Sequence, residues 1–183
     1  IKTAPFIVAL FCGDSKPFSL DNYLQNFISE MNSLMLEGFQ LDACLKIPVR
    51  LLCFTCDAPA RSFLKGIKGH TGKFGCERCV QIGQVCNRRL VYLETMSELR
   101  THQSFINQDN REHHVSTSPL INLNNIDIIK CFPLDYMHLC CLGVMRKLLN
   151  YWTKGCNSAY PVRLSVNLRL CLNNRLKNSA KSI

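Results

Sequence analysis

Apolar and polar positions alternate along this chain in a way that separates an ordered first third from a looser middle and a helical end. Pro5-Phe6-Ile7-Val8-Ala9-Leu10-Phe11-Cys12 is a continuous apolar run closed by Gly13. It is too short for a helix and bounded by turn residues, so it predicts a buried strand. Ser19 then precedes Leu20, Tyr23, Leu24, Phe27, Ile28, Met31, Leu34 and Met35. Steps of three and four residues predict an amphipathic helix, capped by Ser19 and ended by Gly38. Ile47 to Cys56 is a second apolar run, as expected of a strand covered on both faces. Asp57 stands at its C-terminal edge, and Pro59 suits the first turn of a short helix from Ala60 to Ile67. Strand, helix, strand, helix at these lengths imply an α/β unit with a right-handed crossover.

From Gly66 to about Pro133 the periodicity is lost. Gly66, Gly69, Gly72, Gly75 and Gly83 interrupt the first part, and polar residues crowd Arg100 to Ser118. The expected domains are therefore 1–68, an α/β core; 69–133, an irregular insertion held by something other than a large core; and 134–183, a helical segment. In the last, Met137, Cys141, Val144, Met145, Leu148 and Trp152 fall on one side of a helix from Leu134. Leu164, Leu168, Leu172 and Leu176 mark a second helix at four-residue steps.

Charge sharpens the view of the third part. The chain carries a formal net charge of +9, and no acidic residue follows Asp135. Arg146, Lys147, Lys154, Arg163, Arg169, Arg175, Lys177 and Lys181 all lie beyond it. A polyanion such as DNA is the partner this implies, with a solvated helix face as the plain alternative. No apolar run has the roughly 20 residues of a membrane span, and Lys2 with its short apolar stretch does not read as a signal peptide. An intracellular protein is expected, and a chain that begins at Ile1 directly before a strand reads as a piece of a longer product.

Twelve cysteines in 183 residues fall short of a disulfide scaffold. Cys12, Cys44, Cys53 and Cys56 lie in apolar runs, where a thiol acts as a small hydrophobe. Cys76 and Cys79 differ, because two thiolates spaced Cys-x2-Cys in a glycine-permitted turn reach one tetrahedral Zn²⁺. His138 is the best distant ligand, with Asp135 one turn earlier to orient its imidazole; His113, His114 and Cys141 compete for the fourth position. Asp57 is placed to ligate a hard divalent cation, although Asp before Ala-Pro is also a common helix cap.

Cys56-Asp57-Ala58-Pro59-Ala60-Arg61, Gly69-His70-Thr71-Gly72, Cys76-Glu77-Arg78-Cys79, Arg100-Thr101-His102-Gln103-Ser104-Phe105, His113-His114, Ser118-Pro119-Leu120 and Phe132-Pro133-Leu134-Asp135-Tyr136-Met137-His138-Leu139-Cys140-Cys141-Leu142-Gly143-Val144 follow one another in this order. Together they resemble the transposases of animal CACTA (En/Spm)-like DNA transposons, over about Pro5 to Thr153. The resemblance implies a partial RNase H-like core with a zinc-stapled, mainly helical insertion. It implies a nuclear DDE enzyme in which an acidic triad binds two Mg²⁺ ions for DNA cleavage and transfer, with DNA and other transposase subunits as partners. Asp57 matches the second acidic position; Cys76, Cys79 and His138 match positions associated with zinc. The first Asp and the final Glu of the triad have no counterpart in this chain, so the expectation is a transposase fragment inactive by itself. A non-enzymatic, zinc-stabilised DNA- or chromatin-binding module is the alternative. An α/β domain whose cysteines are core residues is a third.

Overall fold

A computed structural model describes residues 4–155 and 163–180. The chain divides into two units, Ile1–Pro133 and Leu134–Ile183.

In the first unit, the predicted long helix forms as α1, Leu20–Glu37. Ser19 Oγ accepts from the Asn22 N–H at 3.2 Å, and Gly38, at φ 79°, ends the helix by donating to the Leu34 carbonyl. A side-chain cap of this kind stabilises a helix by about 1 kcal/mol. The inner stripe of Leu24, Phe27, Ile28, Met31 and Met35 packs on Leu120, Leu123, Ile128 and Phe132. Asn32 pins the facing loop, donating to the Asn122 carbonyl at 2.9 Å and accepting from the Asn124 N–H at 2.8 Å.

The two expected strands do not form as a sheet. Phe6 to Cys12 runs without regular structure, with Phe6, Ile7 and Leu10 about as open as free side chains at 80, 80 and 83% exposure. Of the second run only Lys46–Ile47 (β2) pairs, antiparallel to Phe39–Gln40 (β1). Beyond it the chain passes unpaired over the core, touching it through Leu51, Phe54 and Cys56, with the Phe54 N–H donating to the Cys131 carbonyl. A strand exists only through a neighbour, and among the described residues no sheet exceeds two strands.

The short helix follows as α2, Ala58–Lys65, with Pro59 in its first turn and Gly66 as a left-handed cap. Its N-cap is Asp57, whose Oδ1 accepts from the Ala60 N–H at 2.7 Å. Next come a hairpin of β3, Gln84–Cys86, and β4, Arg89–Val91, and then α3, His102–Ile106. Asn87 and Arg88 both take positive φ at the hairpin turn, the geometry that matches strand twist in a two-residue connection. Single helical turns at Arg111–His113 and Pro119–Asn122 complete the segment.

This middle segment is not poorly cored. Phe105, Leu120, Leu123, Ile128, Ile129, Cys131 and Phe132 are buried and form most of the core on which α1 and α2 rest. Phe54 stacks on Phe132 at 5.0 Å between ring centres and meets Phe27 edge-on at 6.2 Å.

The second unit opens with Asp135, which caps a wide, π-type helix at Tyr136–Met145. It tightens into α4, Arg146–Lys154, and α5 covers Val166–Ala180. Leu164 N–H donates to the Trp152 carbonyl, and Arg169 donates to the Thr153 carbonyl, holding the two helices together. The stripe expected along Leu134 to Trp152 is largely exposed, with Met137 and Val144 both at 55%. Five-residue winding rotates positions off a 3.6-residue face, so the spacing does not line them up. No helix among the described residues is long and apolar enough to cross a membrane.

Candidate metal centre and nucleic-acid surface

Cys76 and Cys79 sit on one tight turn, their sulfurs 3.4 Å apart. Gly75, just before it, has no room for a side chain: a Cβ there would lie 2.2 Å from the Gly69 carbonyl oxygen. Tyr92 ties the glycine loop by donating its hydroxyl to the Gly72 carbonyl at 2.6 Å and accepting from the Gly75 N–H at 3.2 Å. On the other side, Val80 and Arg100 donate to the Glu98 and Arg78 carbonyls, a short antiparallel brace.

The electrostatics of the turn favour thiolate. Burial pushes the Cys76 thiol up, but backbone N–H groups of Arg78 and Cys79, the Cys79 side chain and the Gln81 amide all hydrogen-bond its sulfur and bring it below its usual value. Gln81 Nε2 lies 3.1 Å from Cys79 Sγ and 3.8 Å from Cys76 Sγ. Arg100, itself buried, donates Nε to the Cys76 carbonyl and Nη1 to Asn110 Oδ1, which sets a fixed cation beside both sulfurs. Donors aimed at sulfur from the turn's own backbone are the arrangement by which a Cys-x2-Cys pair holds a metal as thiolate.

His113 is fully buried. Its Nδ1 donates to the Phe74 carbonyl at 2.6 Å, while Nε2 has no partner. Burial lowers its pKa to about 4, so the ring is neutral with its lone pair on Nε2. A backbone-held Nδ1 and a free Nε2 describe a histidine prepared to bind a cation. His114 is half-buried against Phe105 and the His113 ring, at 4.8 and 5.3 Å, and makes no side-chain hydrogen bond among the described residues.

In the second unit Asp135 and His138 form the pair expected from their spacing. Asp135 Oδ1 accepts from the Met137 and His138 N–H groups, and Oδ2 bonds His138 Nδ1. The hydrogen bond from His138 holds the Asp135 carboxyl below its usual range, and Nε2 of the imidazole faces away from it. Cys141 lies exposed on the same helix, and its hydrogen bond to Tyr136 raises the phenol. Among the described residues no three or more His, Cys, Asp or Glu side chains are gathered closely enough to hold a metal. Cys76, Cys79, His113 and His114 belong to the first unit, His138 and Cys141 to the second. The donor types nevertheless fit zinc: two thiols on one turn, with Cys76 held below its usual value, and the His113 and His138 imidazoles oriented through Nδ1.

Asp57 is exposed and acts as the cap of α2 through Oδ1. The basic residues of the second unit are mostly free. Arg146, Lys147, Lys154, Arg163, Arg175 and Lys177 are exposed, Lys147 lies 5.8 Å over the Tyr151 ring, and Arg169 is half-buried through its bond to Thr153. Lys181 lies outside the described residues.

The residues between the two cysteines carry a role that spacing does not reveal. Arg61 Nε lies 2.7 and 2.8 Å from the two carboxylate oxygens of Glu77, and Lys65 Nζ lies 3.5 Å from the second. Arg78 donates to the carbonyls of Ile129 and Phe132. The turn is thus bonded to α2 on one side and to the end of the core segment on the other. The only hint in the sequence is that Arg61 and Lys65 stand four apart, on one face of a short helix.

Comparison with family models, with curated proteins and with solved structures finds no match to this chain.

Proposed function

We propose that the chain is part of a DDE-type DNA transposase of the CACTA-like kind, contributing a zinc-stapled fold and DNA contacts but no strand cleavage by itself. The observation that carries this reading is the bonded link from Asp57 to the cysteine turn. Asp57 starts α2, Arg61 lies one turn into α2, and Arg61 is paired to Glu77 between Cys76 and Cys79. A Zn²⁺ on Cys76 and Cys79, completed within the first unit by imidazole from His113 or His114, would supply a rigid tetrahedral anchor there. Fixing the turn fixes Glu77, Glu77 fixes Arg61, and α2 then presents the Asp57 carboxylate at a set angle. That carboxylate is the one the parent enzyme would use with two further acids to clamp Mg²⁺.

The second unit supplies the other half of the reading. Exposed Arg146, Lys147, Lys154, Arg163, Arg175 and Lys177, with no acid after Asp135, suit phosphate backbone contacts without sequence preference. Nuclear location and assembly with other transposase subunits belong to the same proposal. A non-enzymatic DNA- or chromatin-binding module is the second reading, favoured by the fact that Asp57 already has a structural task as a helix cap. Duplex-DNA binding measured from about 50 to 200 mM salt tests the shared part: phosphate neutralisation requires a steep fall in affinity. A flat salt response, or unchanged binding after Arg163, Arg169 and Arg175 are replaced by Ala, refutes it. Metal-dependent nicking by the chain when the parent's remaining segments are supplied separates the enzyme from the module.

A further inference from the structure

A hollow of about 460 Å³ opens between the end of α3 and the strand-like stretch after His113, lined among others by Gln108, Arg111, His114, Ser116 and Thr117. Its walls are fixed by bonds that have nothing to do with a ligand. Val115 and Ser116 both donate their N–H to the Gly66 carbonyl, at 2.8 and 3.1 Å. Gly66 is left-handed, and a Cβ there would lie 2.5 Å from the Ser116 carbonyl oxygen, so the two strands of chain touch. Ser118 Oγ donates to the Leu64 carbonyl at 2.6 Å, just below, and Gln108 Nε2 donates to Thr117 Oγ1 at 3.2 Å across one rim.

Several polar groups of the lining are left without a partner. The Arg111 guanidinium makes no hydrogen bond or ion pair among the described residues, nor does the Ser116 hydroxyl or the His114 ring. Thr117 Oγ1 accepts from Gln108, which leaves its own hydrogen to be donated elsewhere. No carboxylate lines the space; Asp109 and Glu112, neighbours in sequence, are not part of the wall. Arg100 and Lys65 add positive field at His114 from the buried side. A concavity with a guanidinium fork and two hydroxyls, and no acid, is complementary to an anion with several acceptor oxygens.

We infer that this hollow seats a phosphate group, and that in the working protein the phosphate belongs to the nucleic-acid backbone; the second part rests on the DNA-binding reading above. Arg111 offers two parallel N–H donors to two phosphate oxygens, and Ser116 and Thr117 reach a third. Positioning of this type carries no base preference. It sets the register of the duplex on the first unit, whereas the basic helices of the second unit act through unlocalised charge.

The test uses the full chain with three variants, Arg111→Gln, Ser116→Ala and, as an exposed cation elsewhere, Lys73→Gln. Binding of a duplex oligonucleotide should weaken about tenfold in Arg111→Gln, a loss of the size expected for one charge-assisted phosphate contact. The slope of log affinity against log salt should become shallower by about 1. Ser116→Ala should weaken binding less and leave the slope unchanged, and Lys73→Gln should match the parent chain. Equal affinity and slope for Arg111→Gln and the parent chain overturns the inference. If the parent chain binds no DNA at all, that reading fails, and inorganic phosphate decides the seat by itself. Amide NMR shifts confined to Arg111, His114, Ser116 and Thr117, and absent in Arg111→Gln, then assign it to free phosphate; absent or scattered shifts overturn it.

Discussion

Replacing Glu77 by Gln should unfold the first unit more readily than any other single polar change in it. Glu77 is the one anion among three buried or half-buried cations: Arg61 at 2.7 Å, Lys65 at 3.5 Å, and Arg78 next in sequence. The three paired side chains retain 6, 1 and 12% exposure for Arg61, Lys65 and Glu77. At an effective dielectric of about 20, a pair about 4 Å apart is worth about 4 kcal/mol before desolvation. Glutamine keeps one acceptor for Arg61 Nε but loses the charge for both cations. Arg61 retains the Cys56 and Pro133 carbonyls at 3.3 and 3.5 Å, whereas Lys65 is left with the rings of Phe105 and Phe132, about 5.4 and 5.6 Å away. Breaking a buried pair from one side costs about 3–5 kcal/mol, and the retained acceptor argues for the lower end. Urea titration with pulse alkylation of buried Cys131, followed by mass spectrometry, reads this unit directly. Lys65→Met, which removes a cation that burial already disfavours, should change little alone and recover at least about 1.5 kcal/mol in the Glu77→Gln background. A loss below about 1 kcal/mol in Glu77→Gln, or no recovery in the double variant, refutes the argument.

Further outcomes follow from the same geometry. The purified chain should hold about one Zn²⁺, with Cys76→Ser losing the metal together with hydrogen-exchange protection in α2, while Cys44→Ser keeps both; zinc-free protein or equal retention contradicts this. Supercoiled plasmid should not be nicked by the chain with Mg²⁺ or Mn²⁺, and nicking abolished by Asp57→Ala would disprove that expectation. In urea, Asp57→Ala should cost about 1 kcal/mol through the lost cap and Asp57→Asn almost nothing; equal losses would mean that the cap is not what the carboxylate supplies. Burial raises the Cys131 thiol to about 11 from 9.0. The unfolded chain therefore gives up this proton first, and stability should fall as the pH rises from 9 to 11, by a total on the order of 2–3 kcal/mol. Cys131→Val should flatten that part of the curve, and an unchanged slope would refute the assignment.

The sequence showed what is local. Ser19, the three-and-four stepping and Gly38 specify α1 without outside help, and the Asp57-Ala58-Pro59 order specifies the start of α2. The apolar runs at Phe6 and Ile47 carry strand propensity, but a strand is a relation between two segments, and the run itself does not contain its neighbour. The core of the middle segment was hidden for another reason. Phe105, Leu120, Leu123, Ile128 and Phe132 are delivered singly from short turns, so no window shows a period. At the site, Cys-x2-Cys is visible as spacing, but what separates His113 from His114 is a bond to the Phe74 carbonyl 39 residues away. The Arg61–Glu77 pair likewise joins positions that only folding brings together.

The cap at Asp57 bears on what this position can report when sequences are compared. A carboxylate that starts α2 is retained under selection for folding alone, so an aspartate here is not by itself a sign of metal chemistry. Asparagine would serve the cap equally well but is a far poorer partner for a divalent cation. Exchange between Asp and Asn at this position would therefore mark selection for the fold alone, strict retention of Asp would mark a further demand on the charge, and a change to Ala would mark release of the fold itself.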